Sequence, residues 1–168
     1  MTQQPILLFV EKDMSSLNRV DFFFRASITM YFLSLILPVF YTEYVTLAES
    51  ERLTDPGETW YGIFVLLLGW AAALGSPTRY QYWSIAWFAN PLFFLAASLL
   101  REKARFSFPI AIIGFIIALT SFFLKKIWND KEPPSNLITG HGIGFYLWLM
   151  AFVLMIVASW KSINALHE

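Results

Sequence analysis

The two histidines, His141 and His167, have the broadest chemical repertoire of the side chains in this sequence. An imidazole can ligate haem or a metal ion, or act as a general base, but two ligands must meet at one centre. If one continuous helix carries both histidines, they lie about 39 Å apart at 1.5 Å per residue. Cysteine is absent, which excludes thiolate metal sites, iron–sulfur clusters and disulfides. We therefore expect neither a metal ion nor another cofactor.

The residues around His141 read GHGIG (140–144), which resembles a phosphate-binding loop in composition. Such a loop follows a strand and leads into a Lys-Ser/Thr pair, and we expect neither feature here. We interpret the run as a flexible entry into a helix at a membrane interface.

Patterns for intramembrane catalysis are missing from the sequence. Aspartyl chemistry needs two embedded aspartates, metalloprotease chemistry a His-Glu-x-x-His helix, and serine chemistry a base beside the nucleophile. One arrangement is left, in which the acidic residues of 43–58 act with His141 from the same side of a membrane. Nothing in the sequence favours it, and we expect that the protein is not an enzyme.

Five long runs without Asp, Glu, Lys or Arg must position these residues. A bilayer core needs roughly 20 apolar residues per helical span, and a soluble domain has no interior for five such runs. The chain is 57% hydrophobic and 14% charged, whereas soluble domains are about 25% charged. We predict an all-α integral membrane bundle of five transmembrane helices, with an N-terminal arm and helix start at 1–25 and one transmembrane domain at 26–164. The uncharged runs are 26–42, 59–78, 80–100, 106–124 and 133–160.

The second run has an alternative interpretation. Its apolar part, 60–74, is short and on its own suggests a re-entrant helix, which would leave four spans. The preceding DPGE sequence (55–58) favours a helix that starts at Pro56 and extends about 28 Å, close to a full crossing. Five crossings place the basic cluster 101–105 outside, against the usual preference of basic residues for the cytoplasmic side, and four crossings place it inside.

Asn90 and Pro91 are the polar and helix-breaking residues deepest in an apolar run. Pro91 has no N–H for the carbonyl of Trp87, and the amide of Asn90 needs a partner in hydrocarbon. We predict a kink with an interhelical hydrogen bond, with ligand contact as the alternative. Two tryptophans deep in runs two and three either pack in the bundle or line an apolar pocket. The candidate ligand or partner contacts are Asn90, Pro91, Trp70, Trp87 and His141.

Three stretches carry a resemblance to other proteins: Gly69-Trp70, AWFANPL (86–92) and GFYLW (144–148). Together they resemble a loosely defined group of small, uncharacterised bacterial polytopic membrane proteins. The resemblance implies a multi-pass protein of the bacterial inner membrane and implies no activity.

The charge balance excludes one class of partner. Twelve basic and twelve acidic residues leave no net charge, so we expect no nucleic acid as a partner.

Small residues on several runs allow close helix contact. We predict a non-catalytic interaction protein that contacts the lipid bilayer and another membrane protein or itself. It would be an accessory subunit of a membrane complex or an immunity-type protein against a membrane-active toxin. The alternative is a self-associating pore or small transporter lined by Thr29, Ser34, Ser84, Asn90, Ser98, Thr120 and Ser121.

Overall fold

A computed structural model describes residues 4–47, 52–74, 82–124, 126–127 and 135–165. Helices dominate these residues, and a short 3₁₀ helix, Thr120–Phe123, extends α5. The helices are α1 (Gln4–Ile36), α2 (Gly62–Leu74), α3 (Tyr82–Trp87), α4 (Ala89–Leu99), α5 (Ala104–Leu119) and α6 (Ile143–Ala165). The strands are β1 (Pro38–Leu47), β2 (Arg52–Tyr61), β3 (Lys126–Ile127) and β4 (Ser135–His141).

The four strands form one antiparallel sheet in the order β2-β1-β4-β3. Each strand adjoins a helix end: β1 follows α1, β2 leads into α2, β3 follows the 3₁₀ helix and β4 precedes α6. The sheet therefore lies at one end of the helices, called here the sheet end. The prediction of an all-α protein is wrong at this point, although the structure is mostly helical.

The sheet also corrects the predicted start of the second helix. β2 continues through Pro56, which pairs with Glu43 beside an irregularity in the β1–β2 register, and α2 begins at Gly62. Prolines are tolerated in strands at such irregular positions. The hydroxyl of Thr42 fastens the hairpin, since it donates to the Glu58 carbonyl at 3.0 Å and accepts the Glu58 N–H at 3.1 Å. Tertiary pairing thus overrides the local helix-start signal.

Contacts along α1 give the direction of α4. Tyr31, in the half of α1 nearer the sheet, donates to Asn90 at the start of α4. Asp21, farther from the sheet, lies 3.9 Å from the guanidinium of Arg101, which follows α4. α4 therefore runs antiparallel to α1 and away from the sheet. α5 returns to the sheet end and α6 leaves it again.

The prediction of five transmembrane helices is wrong on this geometry. α2 begins at the sheet end, and α3, which leads into α4, contacts the 3₁₀ helix at that same end. Five crossings would place Asp21 and Arg101 at opposite ends, whereas they lie together. α2 has 13 residues, about 20 Å of helix, which is short of the roughly 30 Å hydrocarbon core.

Packing inside the bundle uses small side chains. The residues with no exposed surface include Ala89, Ala96, Ala111, Ala118, Ala151, Ala158, Ser27, Ser107 and Ser159. Large apolar side chains point outward instead, including Phe32, Ile36, Leu95, Phe106, Ile113, Ile116, Met150 and Val153. Larger buried rings fill the centre, where Tyr31 stacks on Phe93 at 4.5 Å between ring centroids. Small residues at helix contacts are typical of helices that associate in lipid.

Two helical stretches in the described part of the chain, Ala104–Phe123 and Ile143–Ala165, are long and apolar enough to cross a membrane. A core helix of a soluble protein can be equally long and apolar, but it is mostly buried. Only 28% and 44% of the apolar windows of these two helices are buried. Their exposed apolar surface therefore favours a hydrocarbon surrounding over a soluble core.

Candidate functional site

The break between α3 and α4 is the polar centre of the structure. Pro91 cannot donate to the carbonyl of Trp87, and the side-chain amide of Asn90 donates to that carbonyl instead at 3.1 Å. The helix is interrupted at Phe88, between the end of α3 and the start of α4. Asn90 thus satisfies the backbone group that the proline leaves free.

The other side of the Asn90 amide joins three helices. Its Oδ1 atom accepts the hydroxyl of Tyr31 on α1 at 2.9 Å and the indole N–H of Trp148 on α6 at 3.0 Å. The predicted interhelical hydrogen bond of Asn90 is confirmed, and there are two of them. A carbonyl oxygen has two lone pairs, so both are used. We call Asn90, Tyr31, Trp148 and the Trp87 carbonyl the Asn90 node.

Trp87 links the node to α2. Its indole N–H donates to the carbonyl of Leu66 at 2.9 Å. A Cβ atom on Gly69 would lie only 2.5 Å from Cδ1 of the Trp87 ring, so the indole occupies space that any side chain at 69 would need. Gly62 also requires the absence of a side chain, since its Cβ position falls 2.3 Å from the Ser34 carbonyl on α1. These two glycines let α2 approach the bundle and α3.

A cavity of about 60 Å³ lies between the α2–α3 pair and the bundle, under β1. Its walls are mainly apolar. The polar atoms that line it are already bonded in part: the Ser34 hydroxyl donates to the Tyr31 carbonyl at 2.6 Å, and the Ser121 hydroxyl donates to the Ala118 carbonyl. Residues that represent the walls are Val39, Phe40, Val65, Ala86, Phe145 and Trp148.

His141 ends β4 beside this cavity but does not line it. Its ring packs against Phe145, Phe122 and Phe40, at centroid distances of 4.3, 5.3 and 5.6 Å. Burial lowers the pKa of His141 below its usual value of 6.5, and a hydrogen bond to the Ser121 backbone opposes part of that shift. The Nε2 atom is buried without a hydrogen-bond partner. The structure therefore favours a neutral imidazole.

Phe40 lies between two buried ring nitrogens. It pairs across the sheet with Trp60 on β2 and with His141 on β4. The Nε1 atom of Trp60, like Nε2 of His141, is buried without a partner.

The expectation that no strand precedes the GHGIG run is wrong, because β4 does so, but a Lys-Ser/Thr pair does not follow it.

The structure brings together some of the sequence candidates. Asn90 and Trp87 line the cavity, and His141 lies behind its Phe145 wall. Pro91 is exposed and acts through the carbonyl that it leaves free. Trp70 lies in α2, but its side chain is outside the described residues. Their roles as ligand or partner contacts stay predictions.

Two residues of the node were not among the sequence candidates. Tyr31 and Trp148 are aromatic residues in apolar runs that contain many aromatics, so composition does not distinguish them. Their signal was chemical: each carries one polar group that needs a partner in hydrocarbon. In the described structure, Oδ1 of Asn90 is the acceptor for both groups.

In the part of the chain that the structure describes, no three His, Asp or Glu side chains come together as a metal site would require. The acidic strands and His141 do share the sheet end. The carboxylate of Glu43 is exposed, on a residue that pairs with Leu137 rather than with His141.

Comparison with known proteins gives no relative for this chain: no family model, no curated protein and no solved structure matches it.

Proposed function

We propose that this chain is a multi-pass membrane protein, with the helix directions of four spans, that acts as a non-catalytic interaction protein. The observation that carries the proposal is the packing of Ala and Ser inside and of large apolar side chains outside. In water, each exposed Å² of apolar surface costs about 25 cal/mol relative to burial. In hydrocarbon that cost is absent, and small residues allow close helix contact.

The charges of the two ends support an orientation. Basic residues gather at the end opposite the sheet: Arg19, Arg25, Arg101, Lys103, Arg105 and Lys161. The sheet end exposes acidic Glu43 and Glu58. Because basic residues in short loops favour the cytoplasmic side, the sheet lies on the opposite side of the membrane. The resemblance to small bacterial proteins supports the inner membrane as the location.

The outer face of the α2–α3 pair supports the interaction role. Helix α2 is too short to cross, yet exposes large apolar side chains, and Ile85 of α3 and Phe88 at the α3–α4 break add two more. Such a partly inserted pair offers a face to a helix of another membrane protein, as an accessory subunit or an immunity-type protein would. The exposed side chains are Ile63, Phe64, Leu67, Leu68, Ile85 and Phe88.

The pore or transporter alternative has less support. Four of the polar side chains that could line a path donate to carbonyls three residues earlier on their own helices. Such bonds leave fewer polar groups for a permeating ion. Those residues are Ser34, Ser98, Thr120 and Ser121.

Cysteine labelling tests the membrane arrangement directly, because the natural chain has no cysteine. A membrane-impermeant maleimide added to intact cells should label Glu58→Cys and should reach Lys103→Cys only after permeabilisation. Ile116→Cys, on the exposed apolar face of α5, should resist labelling in both states. Labelling of both Glu58→Cys and Lys103→Cys in intact cells would contradict the proposed arrangement, and labelling of Lys103→Cys alone would reverse the orientation. Labelling of Ile116→Cys would contradict a membrane location.

Photocrosslinking in native membranes tests the interaction role. A benzophenone amino acid at Leu67, on the outer face of α2, should capture one heterologous membrane protein. The same probe at Ile113, on the outer face of α5, is the matched control and should capture lipid alone. A product of twice the chain mass from Leu67 would favour self-association, and lipid adducts alone from both positions would contradict the interaction role.

A further inference from the structure

Three residues that line the cavity between the α2–α3 pair and the bundle have little or no side chain to fill it. Gly62 and Gly69 face it without side chains, and their Cβ positions are already occupied by the Ser34 carbonyl and the Trp87 ring. Ala86, which also faces it, is nearly buried and carries one methyl group. A side chain at either glycine would therefore displace these neighbours before it could fill the void.

Water is a poor occupant of this space. A volume of about 60 Å³ would hold on the order of four waters at about 10–15 Å³ each, but each needs two to four polar partners. The hydroxyls of Ser34 and Ser121 donate to their own helices, and Oδ1 of Asn90 already accepts two hydrogen bonds. Apolar walls instead gain dispersion contacts from an apolar occupant.

The surroundings supply such an occupant. If the chain lies in a bilayer, lipid tails surround the bundle, and half-buried residues of the α2–α3 pair form part of the wall between these tails and the cavity. Leu66, Val65 and Trp87 of that pair are half-buried, so the wall is shared between the cavity and the outer surface. An apolar chain that enters there moves from hydrocarbon to hydrocarbon and has no desolvation cost.

We propose that this cavity binds the end of one acyl chain of a membrane lipid, which enters between the α2–α3 pair and the bundle. The inference rests on the proposed membrane location. The bound chain packs between Val65, Ala86 and Phe145, which line the cavity. The α2–α3 pair is thereby held against the bundle by lipid as well as by the Trp87 to Leu66 hydrogen bond.

A photoactivatable lipid tests the proposal. The full chain is reconstituted into vesicles of phosphatidylcholine and phosphatidylglycerol that contain a phosphatidylcholine with a diazirine near the end of one acyl chain. After irradiation, adducts are mapped by peptide mass spectrometry. The wild type should give adducts at the cavity residues Val65 and Phe145 and at the outer residues Ile113 and Ile116.

Variants that fill the cavity separate bound lipid from surface lipid. Ala86→Leu should lose the adducts at Val65 and Phe145 and keep those at Ile113 and Ile116. The matched control is Ala97→Leu, a half-buried alanine on α4 that does not line the cavity, and it should keep all adducts. If Ala86→Leu does not fold, Val65→Phe with adducts scored at Phe145 provides the same comparison.

Each outcome decides one of the two proposals. Adducts at the outer residues alone, or cavity adducts that persist in the filled variants, would overturn lipid binding and leave the membrane location intact. Absence of adducts at the outer residues as well would contradict the membrane location itself. Loss of cavity adducts in Ala86→Leu and their retention in Ala97→Leu would support acyl-chain binding.

Discussion

The hydroxyl of Tyr31 donates a hydrogen bond to Oδ1 of Asn90 at 2.9 Å, across 59 residues of sequence. The same oxygen accepts the indole N–H of Trp148 at 3.0 Å. One amide therefore joins the first helix, the broken third and fourth helices and the last helix. The predictions below begin with this relationship.

Replacement of Asn90 by leucine should destabilise the fold by on the order of 2 kcal/mol, because it removes three hydrogen bonds worth about 0.6–1 kcal/mol each in lipid. Tyr31→Phe, which removes one of them, should cost about one third as much. Unfolding in mixed micelles measures both values. The double variant should be less destabilised than the sum of the two, since both changes remove the same bond. Equal stability of Asn90→Leu and wild type would contradict the node.

Gly69→Ala should destabilise the fold by about 1–3 kcal/mol, the usual range for overpacking. Its methyl group would approach Cδ1 of Trp87 to 2.5 Å, which displaces the indole from the Leu66 carbonyl. Gly140→Ala is the control, because its Cβ would meet only Tyr41 at an ordinary 3.7 Å. Thermal unfolding in detergent compares the two variants. Trp87→Ala should relieve the clash in the double variant, and a failure to do so would contradict this mechanism.

The stability of the folded state should decrease when the pH is lowered, because of His141. Burial lowers its pKa in the folded state below 6.5, so the unfolded chain takes up the proton more readily. The folded state then loses stability as the pH falls through about 6.5. His141→Gln should lose stability less steeply between about pH 7 and pH 5.5. Melting temperatures of both proteins across that range test this, and parallel curves would exclude the contribution of His141.

Ser107 and Ser159 should act as one unit in the half of the bundle away from the sheet. Their hydroxyls lie 2.8 Å apart and within hydrogen-bond distance of the carbonyls of Ala96 and Met155. The two hydroxyl protons serve these three contacts, so one serine donates to its carbonyl while the other donates either to its own carbonyl or to the partner hydroxyl. Each serine-to-alanine change should cost about 0.6–1 kcal/mol. The double change should cost less than the sum, because the shared bond is lost once. Strict additivity in a double-mutant cycle would show that the two hydroxyls act independently.

Several local features could be predicted from the sequence because their causes lie within a few residues. Pro91 has no N–H, so the Trp87 carbonyl had to find another donor, and Asn90 one position earlier was the nearest amide. The uncharged runs likewise contain most of α2 to α6, because helices without charged residues need only an apolar surrounding. These inferences depend on covalent geometry and local spacing.

The sheet depended on contacts that local spacing does not show. Thr42 pairs with Ile138, on strands that are adjacent in space and far apart along the chain. The signal before Pro56 favoured a helix, and pairing with β1 outweighed it. Strand pairing between such distant segments is decided by the packing of the whole chain. Local sequence patterns therefore did not reveal the sheet, and the prediction was all-α.

The sequence by itself determined that apolar helices dominate this protein and that Asn90 would bond between helices. Only the tertiary structure decided the direction of α4, since Arg101 lies beside Asp21 and Asn90 lies beside Tyr31. It also decided that Tyr31 and Trp148 are the partners of Asn90. The physical reason is that the type of each residue determines whether it needs burial or a hydrogen-bond partner. Which residues become partners depends on how the helices are directed and packed.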